Sequence, residues 1–157
     1  MNGINEIPSA SSDKDKKTIF ISYGWEDCEH KKWVYKLAND LSSFFNVKID
    51  VKTPFGAELN TFMEKMVSNS DRVLIIVTPT YKMKADNREN GVGYESVLIS
   101  DEIFNNQATI KFIPIIRKGS KKESYPKYLG NRKGVVMTDD NLYEDMLQEL
   151  VEDIKEN

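Results

Sequence analysis

The sequence predicts an α/β fold: five strands in a mostly parallel sheet, with helices on both faces. Three observations carry this. Short apolar, β-branched runs alternate with segments of helical spacing, strand then helix, five times over. The strongest run, Arg72–Val77, is apolar at every position after the arginine, as a central strand covered on both faces requires. No hairpin signal joins any two runs, so the connections are crossovers and the strands run parallel. At 157 residues the chain fits one domain with one proper core, and 39% hydrophobic with 30% charged residues is an ordinary globular balance.

Met1–Lys17 is polar and without a hydrophobic period. It is expected to be a disordered tail or linker, with the folded domain spanning residues 18–157. Thr18–Tyr23 reads as the first buried strand. From Glu26 to Phe45, Trp33, Leu37 and Leu41 recur every four residues, the mark of an amphipathic helix. Val47–Val51 is the second strand, and Thr53–Gly56 breaks the chain. Glu58–Ser68 is the second helix, with Leu59, Phe62, Met63 and Met66 on one face. Pro79 ends the third strand, and the polar stretch from Thr80 to Gly93 reads as a long functional loop. Helical spacing returns over Tyr94–Asn106. Ile110–Ile116 is the fourth strand, Arg117–Lys133 is irregular and basic, and Gly134–Met137 is the fifth strand. Asp140–Lys155 is the last helix, with Asp139 and Asp140 where a cap is wanted. At this length the commonest arrangement is the flavodoxin-like strand order 2-1-3-4-5, whose ligands bind beyond the carboxyl ends of the strands. Those ends are Tyr23–Trp25, Lys52–Gly56, Thr78–Tyr81 and Arg117–Gly119.

Several functions are excluded. A net charge of -3 gives no global attraction to nucleic acid or an anionic membrane. No apolar run reaches the roughly 18 residues of a spanning helix. Cys28 and His30 are the only residues of their types, which rules out a disulfide within the chain and a zinc site of the usual thiolate–imidazole kind. No metal is expected. The single cysteine suits a reducing, cytoplasmic setting. There is no phosphate-binding Gly-x-x-x-x-Gly-Lys-Ser/Thr loop, and Gly91–Ser96 is only a partial dinucleotide fingerprint that follows a loop rather than a strand. Thr78–Thr80 lacks the aspartate of a phosphorelay receiver, and the acidic Gly24–Asp27 would repel a flavin phosphate. His30, beside Lys31 and Lys32, is expected on a solvated stretch, which argues against a Ser-His-Asp triad.

Two features point to a site. Ser22, Tyr23, Gly24 and Trp25 leave the first strand at the switch-point crevice, where glycine admits a ligand and an aromatic face can stack on a ring. Trp25 can equally serve as a cover for the helix end. Glu95 opens the third predicted helix near the end of the third strand. There it can face the crevice or simply favour the helix macrodipole, worth a few tenths to ~1 kcal/mol. Charge is also uneven: Lys111–Lys133 holds eight basic residues and one acidic, Asp139–Asn157 eight acidic and one basic. These are either solvated faces or complementary poles for head-to-tail assembly.

As a set, Phe20–Trp25, His30–Val34 with Leu37-Ala38, Phe62–Glu64, Val73–Pro79, Lys84–Arg88, Gly91–Glu95 and Lys111–Pro114 resemble the TIR family, in the bacterial branch close to the SEFIR subgroup. The likeness runs from about Thr18 to Arg117. It implies the five-stranded flavodoxin-like fold. It also implies an enzyme that cleaves NAD⁺ to nicotinamide and ADP-ribose or a cyclic isomer, activated by self-assembly in bacterial antiphage defence. The alternative within the family is a non-enzymatic module that docks to like domains. On the enzymatic reading Glu95 is catalytic, and Ser22, Tyr23, Gly24, Trp25, Phe55, Gly56, Tyr81, Arg88 and Tyr94 bind the substrate. The loop Lys52–Gly56 gates the site and contacts neighbouring subunits. Gly91 stands where many active members carry a tryptophan four residues before the glutamate, leaving Tyr94, Phe55 or Trp25 to supply the stacking ring. No cofactor is implied beyond NAD⁺ as substrate. The implied partners are like domains and a sensor outside this chain.

Overall fold

The computed structural model describes residues 16–87 and 93–157, residues 93–96 by their backbone alone. The expected tail therefore lies almost wholly outside the described residues. The elements are β1 (Thr18–Ser22), α1 (Cys28–Leu41), β2 (Asn46–Lys48), α2 (Leu59–Ser68), β3 (Arg72–Val77), α3 (Pro79–Asn87), α4 (Gly93–Asn105), β4 (Phe112–Ile116), α5 (Lys121–Ser124), β5 (Val135–Val136) and α6 (Tyr143–Glu156). The sheet is five-stranded and parallel throughout, in the expected order β2-β1-β3-β4-β5.

The strand period of two divides the core. Ile19, Ile21, Leu74, Ile76, Ile113 and Ile115 face α1 and α6, meeting Val34, Leu37 and Leu41 on one helix and Leu147, Leu150 and Ile154 on the other. The alternate residues Phe20, Val73, Ile75, Val77, Phe112 and Ile116 face the opposite layer, where Val67 of α2, Tyr81 and Ala85 of α3 and Ile99 and Ile103 of α4 cover them. All six residues of β3 are buried: Val73–Val77 as their unbroken apolar run requires, and Arg72 with its guanidinium 3.5 Å from Asp153 Oδ2.

Pro114 lies within β4 opposite Ile75. Lys111 and Arg117 direct their backbone bonds to β3, whereas Ile116 accepts from Met137 on the β5 side. Pro114 shares the parity of Ile116, so its missing N–H falls on the side where β5 begins only at Val135. Short β5 is thus compatible with a proline in an interior strand.

Three expectations need correction. The stretch from Thr80 to Gly93 is not one long loop, because α3 occupies its first half. Thr78 caps that helix, its Oγ1 accepting from the Tyr81 backbone N–H at 3.0 Å, and Pro79 takes the first helical position, where a missing N–H costs nothing. The proline that ends the strand also starts the helix. The second strand stops at Lys48 rather than Val51, because Asp50 turns the chain with φ of 46°. The irregular segment after β4 holds the short α5, closed by a reciprocal capping box between Ser120 and Glu123.

Candidate functional site

The crevice at the carboxyl edge is assembled by side-chain bonds between loops that are distant in sequence. The loop after β1 is tied at four points. Buried Ser22 Oγ lies 2.9 Å from Tyr81 OH beneath the crevice. Tyr23 OH donates to Asp50 Oδ2 at 2.6 Å, and Tyr35 OH donates to the same oxygen. Burial first, and the Asp50 carboxylate second, push the Tyr23 hydroxyl far above the usual tyrosine range. Lys84 Nζ of α3 donates to the Trp25 carbonyl at 2.8 Å. Glu26 Oε1 accepts from Thr78 Oγ1 at 3.1 Å. Asp27 then caps α1, accepting from His30 N–H at 2.7 Å.

His30 is buried, not solvated as its lysine neighbours suggested. Three residues beyond the cap, it turns inward, with Nδ1 3.2 Å from Glu26 Oε2. Burial lowers its pKa; Glu26 opposes this and Lys118 adds to it. His30 thus packs against Glu26, whose other carboxylate oxygen accepts from Thr78 at the end of β3.

The two aromatic residues of the first loop serve different depressions. Tyr23 lines a small cavity of about 110 Å³ with Asp50, Val51, Met63 and Met66, on the β2 side. Trp25, half exposed, lines an open cleft of about 570 Å³ with Pro79, Thr80, Lys84 and Lys118, on the β3–β4 side. Lys31 sits 5.8 Å from the Trp25 ring centroid. Buried Gly24 lies between them. Ser22 and Tyr81 are each 1% exposed, so they form the floor of the crevice and hold its loops rather than line it. Phe55 is fully exposed at the tip of the second loop, beside Gly56 with φ of 87°. Glu58 closes that loop by capping α2, accepting from Thr61 N–H at 2.6 Å. Arg88 lies outside the described residues. Tyr94 and Glu95 occupy the first turn of α4, which has 13 residues. The far end of α4 leads into β4, and Glu102 pairs with Lys111 just before that strand. The first turn therefore lies toward the carboxyl edge.

A larger cleft of about 690 Å³ lies elsewhere, between the last turns of α4 and residues 127–132. Among the described residues no group of three or more His, Cys, Asp or Glu is placed to hold a metal ion, and no helix is long and apolar enough to cross a membrane. Sequence reasoning did not single out Asp50, Glu26, Thr78 or Lys84 as builders of the site. Only Thr78 carried a usable signal, the Thr-Pro pair that starts a helix.

This architecture is matched by known proteins. A family model described as TIR domain matches residues 19–151. The chain belongs to the TIR domain family. A prokaryotic SEFIR domain of known structure is similar to this TIR domain at 31% identity, covering 87% of this chain and 90% of that one, with a TM-score of 0.65. The TIR domain of the Toll-related receptor TRR-2 from Hydra magnipapillata shares the fold at 16% identity (87% and 97% covered, TM-score 0.63). So do the TIR domains of the activated Roq1 resistosome that directly recognises the effector XopQ, at 17% identity (88% and 99% covered, TM-score 0.60). No curated protein sequence matches the chain.

Proposed function

We propose that this TIR domain cleaves the N-glycosidic bond of NAD⁺, with Glu95 as the catalytic carboxylate. The observation that carries the reading is the place of Glu95 in the first turn of α4, toward the carboxyl edge where the loops after β1 and β3 are tied together. The chemistry suits one carboxylate. Nicotinamide leaves a cationic glycoside as a neutral molecule, taking the bonding electron pair, so no general acid is needed, unlike the two-carboxylate glycosidases. Positive charge then develops on the ribose, and a fixed negative charge beside it lowers the barrier. Water adds at the anomeric carbon and releases a proton to give ADP-ribose; attack by an adenine nitrogen instead gives the cyclic isomer. The first-loop aromatics, Phe55 and Gly56 of the second loop, and Arg88 and Tyr94 complete the proposed substrate contacts.

Activation by self-assembly of like domains is part of the proposal, in bacterial antiphage signalling. The wholly exposed Phe55 on an otherwise anchored loop supports a contact to a neighbouring copy. The test is nicotinamide release from NAD⁺ at high protein concentration, with and without a crowding agent. Loss of one fixed charge at a reacting centre costs on the order of 100-fold or more in rate, so Glu95→Ala should fall at least that far. An assembled sample that leaves NAD⁺ intact would overturn the enzymatic reading in favour of an interaction module.

A further inference from the structure

The acidic helix α6 and the basic stretch around Lys121–Lys127 lie on opposite faces of the sheet. α6 covers the face that bears Ile19, Ile21, Leu74 and Ile76. The segment after β4 belongs to the other layer, through Tyr125 and Leu129. On α6, Asp145, Glu149, Glu152 and Glu156 are all exposed. Their spacing of four, three and four residues puts them in one line along the solvent side, about 16 Å long. None has an ion-pair partner among the described residues; the carboxylates that do, Asp140 and Asp153, lie off this line. Like charges four residues apart on a helix repel, so the stripe is locally unfavourable unless something cationic meets it.

The opposite face offers a cationic surface of suitable shape. Lys121, Lys122 and Lys127 surround a depression of about 410 Å³, completed by Tyr125, Pro126 and Gly130, with no carboxylate in its lining. Lys121 is steadied by Asn131 Oδ1 at 2.7 Å, while Lys122 and Lys127 are exposed. The sheet stands between this depression and the acidic stripe, so the two cannot meet within one molecule. They can meet between copies, and because the surfaces differ the contact is heterologous and leaves a free pole at each end.

We infer that the α6 stripe of one copy docks on the Lys121–Lys122–Lys127 depression of the next, a head-to-tail contact driven by charge. This rests on the self-assembly in the proposed function and names the surfaces that carry it. The experiment uses neutral substitutions, so that no new attraction is created. Glu149→Gln with Glu152→Gln blunts one pole, and Lys122→Gln with Lys127→Gln the other. All four residues are exposed, and circular dichroism checks the fold. In sedimentation velocity the unsubstituted chain should pass beyond dimer as concentration rises. It should dissociate as salt goes from about 0.1 to 1 M, where the screening length falls from about 10 to 3 Å. Each variant alone should self-associate at least tenfold more weakly. An equimolar mixture of the two should stop at a 1:1 dimer, since each supplies one intact pole. Variants that assemble like the unsubstituted chain, or a mixture that stays monomeric, would overturn this contact and leave assembly through other surfaces standing. An unsubstituted chain that stays monomeric at every concentration and salt would overturn the contact and the self-assembly reading together.

Discussion

Asp50 offers a sharp test of how the crevice is held. Its carboxylate accepts hydroxyl bonds from both Tyr23 and Tyr35, joining the loop after β1, the middle of α1 and the loop after β2. It does so from φ of 46°, a conformation that disfavours most side chains. Two hydrogen bonds to a charged acceptor contribute about 1.5–3 kcal/mol each, and Asp50 is exposed, so solvent holds both to the low end or beneath it. Alanine loses both bonds and must still adopt the left-handed conformation, at about 1–2 kcal/mol. Glycine loses the same bonds but enters that conformation freely. Asparagine keeps an acceptor and tolerates the geometry. The expected destabilisation is therefore about 2–4 kcal/mol for Asp50→Ala, about 1 kcal/mol less for Asp50→Gly, and the least for Asp50→Asn. Urea unfolding with a common slope measures all three. A glycine variant as unstable as the alanine one would show that backbone strain plays no part. An alanine variant within about 0.5 kcal/mol of the original would show that the two hydroxyl bonds do not anchor the loops.

Three further outcomes follow from specific contacts. Because the Tyr23 and Tyr143 hydroxyls titrate above their ordinary value when folded, the stability tied to them is fully present below pH about 10 and is lost as pH rises beyond it. Tyr23→Phe should flatten part of that decline in alkaline unfolding curves, and an unchanged slope would count against the Tyr23 bond. His30 has the opposite sign: its folded pKa is lowered by burial, so the unfolded chain binds the extra proton first, and stability falls as pH drops below about 6.5. Thermal melts between pH 5 and 7.5 should show this, and His30→Gln should reduce it. Gly134 allows β5 to lie close, since a Cβ there would sit 2.3 Å from Tyr125 Oη and 2.8 Å from the Pro114 carbonyl. Gly134→Ala should cost about 1–3 kcal/mol by overpacking, with faster hydrogen exchange at Val135 and Val136; wild-type stability would refute the close approach.

Much of the fold was legible because its strands announce themselves locally. The run Arg72–Val77 coincides with β3, because residues apolar at successive positions need cover on both faces, which a central parallel strand provides. The two long amphipathic helices are equally plain: Leu37 and Leu41 of α1, and Leu150 and Ile154 of α6, are buried as their spacing requires; on α2 the expected Leu59 is exposed and Val67 is the buried residue instead. The short elements are not plain. α3 draws on a Thr-Pro start but has little apolar periodicity, and α5 is too brief for any period to register. The burial of His30 is not legible from its lysine neighbours because adjacent residues point in different directions on a helix: Lys32 faces outward while His30 turns under the cap beside Glu26.

By itself the sequence determined the alternation of strands and helices, their burial and hence the parallel sheet, because side-chain period and apolar content are properties of adjacent residues. It also determined that Glu95 opens a helix after the third strand, which is a matter of order along the chain. Only the tertiary structure decided how the crevice is built: that Asp50 holds Tyr23, that Thr78 links Glu26 to α3, that Trp25 and Tyr23 line separate depressions, and that the two charged poles lie on opposite faces. Each of these joins residues far apart in sequence, and a hydrogen bond or an electrostatic pole depends on positions in space that no local pattern encodes.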